Sequence, residues 1–154
     1  MSAVHFSRHG NVAELCLDNP AKMNAFTVDM LAQLAAHLEV IDPDPSIAAV
    51  MLTATGDRTF CTGADINGWG YLSPAEFARH WVRDGHRIFD RLARLGKPTI
   101  AVLTGHAFGG GLELAAACDL RVMATGASLG LPEAGVGIVP GWSGTQRLLR
   151  LLPE

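Results

Sequence analysis

Two carboxylates stand in this 154-residue chain where acids are uncommon: Glu113, inside the apolar run Gly111-Leu-Glu-Leu-Ala-Ala-Ala-Cys118, and Glu133, which opens a glycine- and proline-rich segment ending at Gly141. An acid in the first turn of a helix is often only a partner for the helix dipole, and a Pro-Glu pair in a loop is usually solvated. The surroundings set these two apart. Desolvation raises a carboxyl pKa toward the range useful for proton transfer, and two carboxylates held that way can divide the acid and base roles. Directly ahead of Glu113 come three consecutive glycines, Gly109 to Gly111, within GHAFGGGLELAAACD from Gly105 to Asp119. Glycines let backbone N–H groups approach a ligand closely, and a helix N-terminus adds partial positive charge, so the turn reads as an anion site.

Other chemistries fit less well. The glycines do not satisfy the dinucleotide pattern GxGxxG, and no GxxxxGK[ST] occurs. Gly141-Trp-Ser-Gly144 has the wrong spacing for a nucleophile elbow, and no histidine follows Ser143 to act as its base. His80 and His86 lie six apart on one predicted helix, on different faces, so the scattered histidines read as surface residues. Cys16, Cys61 and Cys118 are odd in number and set in apolar sequence, which predicts buried free thiols in a reducing compartment. No metal site is expected.

The elements that must position the carboxylates are legible as alternating strands and helices. Val4–Arg8 and Val12–Leu17 predict an opening hairpin around His9-Gly-Asn11. Thr27 is the expected N-cap of a helix that buries Val28, Leu31, Leu34, Ala35 and Leu38 and ends at Asp42-Pro-Asp-Pro45. Ile47–Thr53 and Pro98–Leu103 read as buried parallel strands. The polar segment Gly56–Ile66 reads as a ligand-binding loop at the end of the first. Ser73-Pro-Ala-Glu76 is a capping box, and Phe77, Trp81, Ile88, Leu92 and Leu95 continue one helical face. Leu120–Ala124 is a third strand and Ala127–Leu131 a weaker fourth. Pro132–Gly141 is expected to pack on the core, and Ser143 to cap a last helix through Leu148, Leu149 and Leu152. No internal repeat is visible, and the alternation predicts an α/β fold.

Composition bounds the partners. Hydrophobic residues make up 49% of the chain, enough for one sizeable core. A net charge of −3 and a pI near 6.0 offer no basic surface for nucleic acid or anionic membrane. The N-terminus lacks the pattern of a secretory leader and no apolar run has the length of a membrane span, so a soluble cytoplasmic protein is expected.

Several segments together resemble the enoyl-CoA hydratase/isomerase, or crotonase, family. These are Lys22-Met-Asn-Ala25, Phe60–Ile66, Lys97–Val102, Gly105–Leu114, Cys118–Arg121 and Pro132–Leu148. The resemblance implies a crotonase-like spiral of ββα units. It also implies an oxyanion hole from the Ala64 and Gly110 amides for a thioester carbonyl, and a CoA path along Lys22, Met23, Ala64, Asp65, Ile66, Asn67 and Gly110. By the same resemblance Glu113 orients and deprotonates a water that attacks C3, and Glu133 delivers a proton to C2. That is hydration of a 2-enoyl-CoA to a 3-hydroxyacyl-CoA, with CoA as part of the substrate and no separate cofactor. Enoyl-CoA isomerase or related enolate chemistry is the alternative, and a silent CoA- or partner-binding fragment a third reading. Family domains usually continue into helices that complete the acyl pocket and build a homotrimer or dimer of trimers. Residues 1–154 are therefore expected to be a core domain without that C-terminal region. Trp142-Ser143 also departs from the family, which more often has smaller residues there.

Overall fold

In the computed structural model, which describes residues 2–152, Ala3–His9 (β1) and Val12–Asp18 (β2) form the expected antiparallel hairpin. Ala13, Leu15 and Leu17 on β2 are buried at period two, the mark of a strand with one face on the core. β2 pairs in parallel with Ala49–Ala54 (β3), β3 with Thr99–Leu103 (β5), and β5 with Leu120–Met123 (β7). The result is a five-stranded sheet ordered β1-β2-β3-β5-β7. Val28–Ile41 (α1) packs against the hairpin, with Thr27 accepting a hydrogen bond from Met30 N (3.2 Å) as its N-cap. Val28, expected in the core, is exposed at the first helical position, and Met30 takes its place.

Of a second, smaller sheet only one strand was legible in the sequence, the weaker fourth strand expected within Ala127–Leu131. Thr59–Cys61 (β4), His106–Phe108 (β6) and Leu129–Gly130 (β8) pair in parallel in the order β4-β6-β8. β4 lies in the segment read as a loop, and β6 interrupts the simple strand-turn-helix reading of Pro98–Asp119. Strands of two or three residues are too short to show a period. Together the sheets define a unit that recurs along the chain: a strand in the large sheet, a short strand in the small one, then helix. β3 and β4 precede the helical run of residues 74–93; β5 and β6 precede Gly110–Ala117 (α4); β7 and β8 precede Gly144–Leu151 (α5). The repeat is architectural rather than residue by residue because its helices meet different surroundings. All of α4 is buried, whereas α5 is largely exposed.

The helical run starts at the predicted capping box, with Ser73 Oγ accepting from Glu76 N and Glu76 Oε2 accepting from Ser73 N. It comprises Pro74–Glu76 (α2), a π-helical segment Phe77–Arg83, and Asp84–Ala93 (α3). The π segment rotates the apolar face, so Trp81, Gly85, Phe89 and Leu92 are buried while Ile88 and Leu95 are only partly so. Phe26, Phe89 and Trp142 meet edge to face, with centroids 5.0 to 5.9 Å apart, at the centre of the core. The third strand forms where expected, as β7 at the sheet edge, with Leu120, Val122 and Met123 exposed. Two further expectations change. The Pro132–Gly141 segment leaves Val136 and Val139 exposed, and Ser143 makes no capping hydrogen bond to α5. Pro153 and Glu154, where the sequence ends, lie outside the described residues.

Candidate active site

Glu113 sits in the first turn of α4, a helix apolar on every side and therefore enclosed on every side. Its side chain is 2% exposed. Oε1 accepts hydrogen bonds from Trp142 N (2.8 Å) and Gly144 N (2.7 Å). Burial pushes the carboxyl above its ordinary range, these two amides oppose the shift, and the nearby Glu133 adds to it. Glu133 opens a 3-10 turn, Glu133–Val136, and is also buried, against the usual fate of a Pro-Glu in a loop. Among the described residues its Oε2 is buried without a hydrogen-bond partner. Gly109 makes room for it: a Cβ at that position would lie 3.0 Å from Glu133 Oε1, and φ is +52°.

The turn before α4 meets a second turn from far back in the sequence. Gly63, with φ +97°, lies so close that an added Cβ would stand 2.9 Å from Gly110 N and 3.2 Å from Phe108 O. Hydrogen bonds from Phe26 N to Gly63 O (2.7 Å) and from Asp65 N to Phe26 O (2.8 Å) pin this second turn and leave the Ala64 amide between them. Among the described residues neither the Ala64 nor the Gly110 amide has a protein acceptor. Both residues line the cleft that holds the two carboxylates, a space of about 870 Å³. Two unpaired donors on rigid backbone beside two buried acids can hold an oxygen that gains negative charge while protons move nearby.

The remaining predicted residues, Lys22, Met23, Asp65, Ile66 and Asn67, line the same cleft. Lys22 Nζ pairs with the Asp65 carboxylate across its rim. Met23 and Asn24 both take positive φ, and Asn24 holds that turn from inside by donating to Thr55 O and Thr59 O and accepting from Asn19 N. Sequence reasoning missed Asn24, Gly63 and the aromatic wall of Trp69, Phe77 and Trp81, whereas Trp142, singled out as a departure from the family, does line the cleft beside them. His86, expected at the surface, is half-buried and hydrogen-bonded to Ser143. Among the described residues no three His, Cys, Asp or Glu side chains are grouped to hold a metal ion, and no helix is long and apolar enough to cross a membrane. Cys61 and Cys118 are buried free thiols, their pKa pushed up to about 12 by burial, whereas Cys16 is only half-buried.

Fold and cleft together define an α/β protein of the crotonase type. The sequence model of the family described as enoyl-CoA hydratase/isomerase matches residues 7–154, and the chain belongs to that family. It is 38% identical over 152 residues to a short-chain-enoyl-CoA hydratase of Clostridium acetobutylicum, covering 99% of this chain and 58% of that protein. A crotonyl-CoA hydratase of Syntrophomonas wolfei is 40% identical over 141 residues, covering 92% and 54%. The crystal structure of an enoyl-CoA hydratase from Bacillus anthracis superposes with a TM-score of 0.91 at 34% identity, covering 96% of this chain and 57% of the other. The chain thus spans a little over half the length of these relatives.

Proposed function

We propose that residues 1–154 act as one core domain that hydrates 2-enoyl-CoA thioesters to 3-hydroxyacyl-CoA. The observation that carries this reading is the pair of buried carboxylates, Glu113 and Glu133, on one cleft with the free Ala64 and Gly110 amides. The thioester oxygen accepts from both amides, which meet the negative charge that grows as water adds to C3. Because the donors are fixed backbone groups, they stabilise that charge without reorganising. Glu113, as carboxylate, takes a proton from the water whose oxygen bonds to C3. Glu133, as acid, gives a proton to C2, and the C2=C3 double bond becomes single. Transfer of the proton from Glu113 back to Glu133 restores the resting pair. Met23, Ala64, Ile66 and Asn67 offer main chain to the CoA moiety, while Lys22 and Asp65 sit at the rim. CoA enters as part of the substrate, so no further cofactor is invoked.

We place the protein in the cytoplasm, with no nucleic-acid or membrane partner, on its slight acidity and its buried free thiols. Self-association into a trimer or dimer of trimers rests on the resemblance to the family alone, and the apolar side chains exposed at the sheet edge and on α5, among them Val122, Met123 and Leu149, equally suit docking of further helices. The test is loss of conjugated-thioester absorbance on adding the chain to crotonyl-CoA. Glu113→Gln and Glu133→Gln are each expected to lower kcat by at least about 10²-fold. Activity surviving in the double variant would sink the mechanism. Shift of a 3-enoyl-CoA double bond without hydration would assign an isomerase instead, and CoA-ester binding with neither reaction a silent binding module.

A further inference from the structure

We propose that Ser143 and His86 form a clamp that positions Glu113, with α3 holding Ser143 in the one backbone conformation that aims two amides at the catalytic carboxylate. The inference rests on the reading of Glu113 as the base. The Trp142 and Gly144 N–H groups converge on a single atom, Glu113 Oε1, at 2.8 and 2.7 Å. Amides on either side of one residue converge on an anion when that residue is left-handed, and Ser143 has φ +79° and ψ +18°. A serine gains nothing intrinsic from that region, where Cβ crowds the following carbonyl. Something must hold it there.

The side chain supplies the restraint. Ser143 is buried, and its Oγ does not cap α5 although it stands at the cap position. It is instead hydrogen-bonded to His86 Nδ1, on α3, at 2.6 Å. The neighbouring Trp142 is tied to the same helical run, its Nε1 donating to Trp81 O at 3.1 Å. The segment that cradles Glu113 is therefore fastened at 142 through an indole and at 143 through an imidazole. α5 has a separate tie to α3, Arg147 Nη2 to Asp90 Oδ1 at 3.3 Å, which does not involve Ser143. Among the described residues no hydrogen bond joins His86 to Glu113 or to the free amides, and His86 does not line the cleft, so it acts through Ser143 as a positioning residue.

The clamp is tested by a double-mutant cycle on the 154-residue chain with crotonyl-CoA as substrate. His86→Ala is expected to lower kcat about tenfold or more with KM changed less than about twofold, because the base is misaimed while the binding surface is intact. His86→Asn, which can place a hydrogen-bonding atom near the Nδ1 position, is expected to recover most of that loss. In a Ser143→Gly background the left-handed position needs no support, so His86→Ala should have no further effect. Asp90→Ala, which removes the acceptor of the other tie between the same helices, should lower the urea midpoint without lowering kcat. An equal loss from His86→Ala in both backgrounds, or none in either, would overturn the proposal. If the parent chain hydrates nothing, the hydratase reading fails by itself. The clamp is then read from urea midpoints alone, where persistence of the His86→Ala shift in the Ser143→Gly background overturns it.

Discussion

Gly85→Ala is the substitution whose sign the structure reverses. In an exposed helix interior this change stabilises by about 1 kcal/mol, since alanine loses less backbone entropy than glycine. On α3 the new Cβ would stand 2.2 Å from Trp142 Nε1 and 2.5 Å from Cε2, whereas ordinary contact begins at 3.4 Å. The indole must therefore retreat by roughly 1 Å. It cannot do so freely, being wedged against Phe26, Phe89 and Trp81 and lying so close to Gly110 that a Cβ there would meet its Cζ3 at 2.4 Å. Overpacking of this kind costs about 1–3 kcal/mol, and loss of the Trp142 Nε1 to Trp81 O hydrogen bond about 1 kcal/mol more. Set against the propensity gain, the net loss is about 1–3 kcal/mol, a fall in Tm of about 2–12 °C for a chain of this size. The retreat also drags the Trp142 amide from Glu113, so kcat should fall with stability. Thermal unfolding followed by circular dichroism, beside the hydration assay, reads both. Replacing the indole by a smaller ring, in Gly85→Ala with Trp142→Phe, should return part of the lost Tm. A Tm for Gly85→Ala within about 1 °C of the parent would refute the steric argument.

Glu113→Gln should change how stability depends on pH. Burial raises the native carboxyl above 4.5, so the native state holds this proton more tightly than the unfolded chain does. The stability it contributes is present below the unfolded value and is lost as pH rises through the native one. The glutamine side chain can still accept both amides at its Oε1 and carries no titrating proton. Urea midpoints should therefore show the variant gaining on the parent as pH rises above 4.5 and through the raised native value, and a constant gap would argue against that shift. Gly63→Ala should cost about 1–3 kcal/mol and most of the activity, since φ is +97° and its Cβ would press on Gly110 N; unfolding midpoints and kcat measure the two effects. A disulfide reagent applied to the folded chain should label Cys16 well before Cys61 and Cys118, whose thiols are buried and held at about 12, and all three at once after unfolding.

The elements with strong local signals were legible in the chain. The β1–β2 hairpin has its alternation, α1 has Thr27, the run from Ser73 has its capping box, and β3 and β5 have their aliphatic stretches. Glu113 stood out because a carboxylate in an apolar helix cannot be there for solvation, and the glycines ahead of it announced backbone that must come close to something. These are properties of short windows, where period, cap and composition act on neighbours in sequence. Tertiary structure alone decided the rest. It assembled the small sheet of β4, β6 and β8, brought Gly63 against Gly110, buried Glu133, and enlisted the Trp142 and Gly144 amides for Glu113. It also turned His86 from a surface residue into the partner of Ser143. Each of these joins residues tens of positions apart, and no local preference encodes such a meeting. It follows from how two sheets and the helices between them share one core.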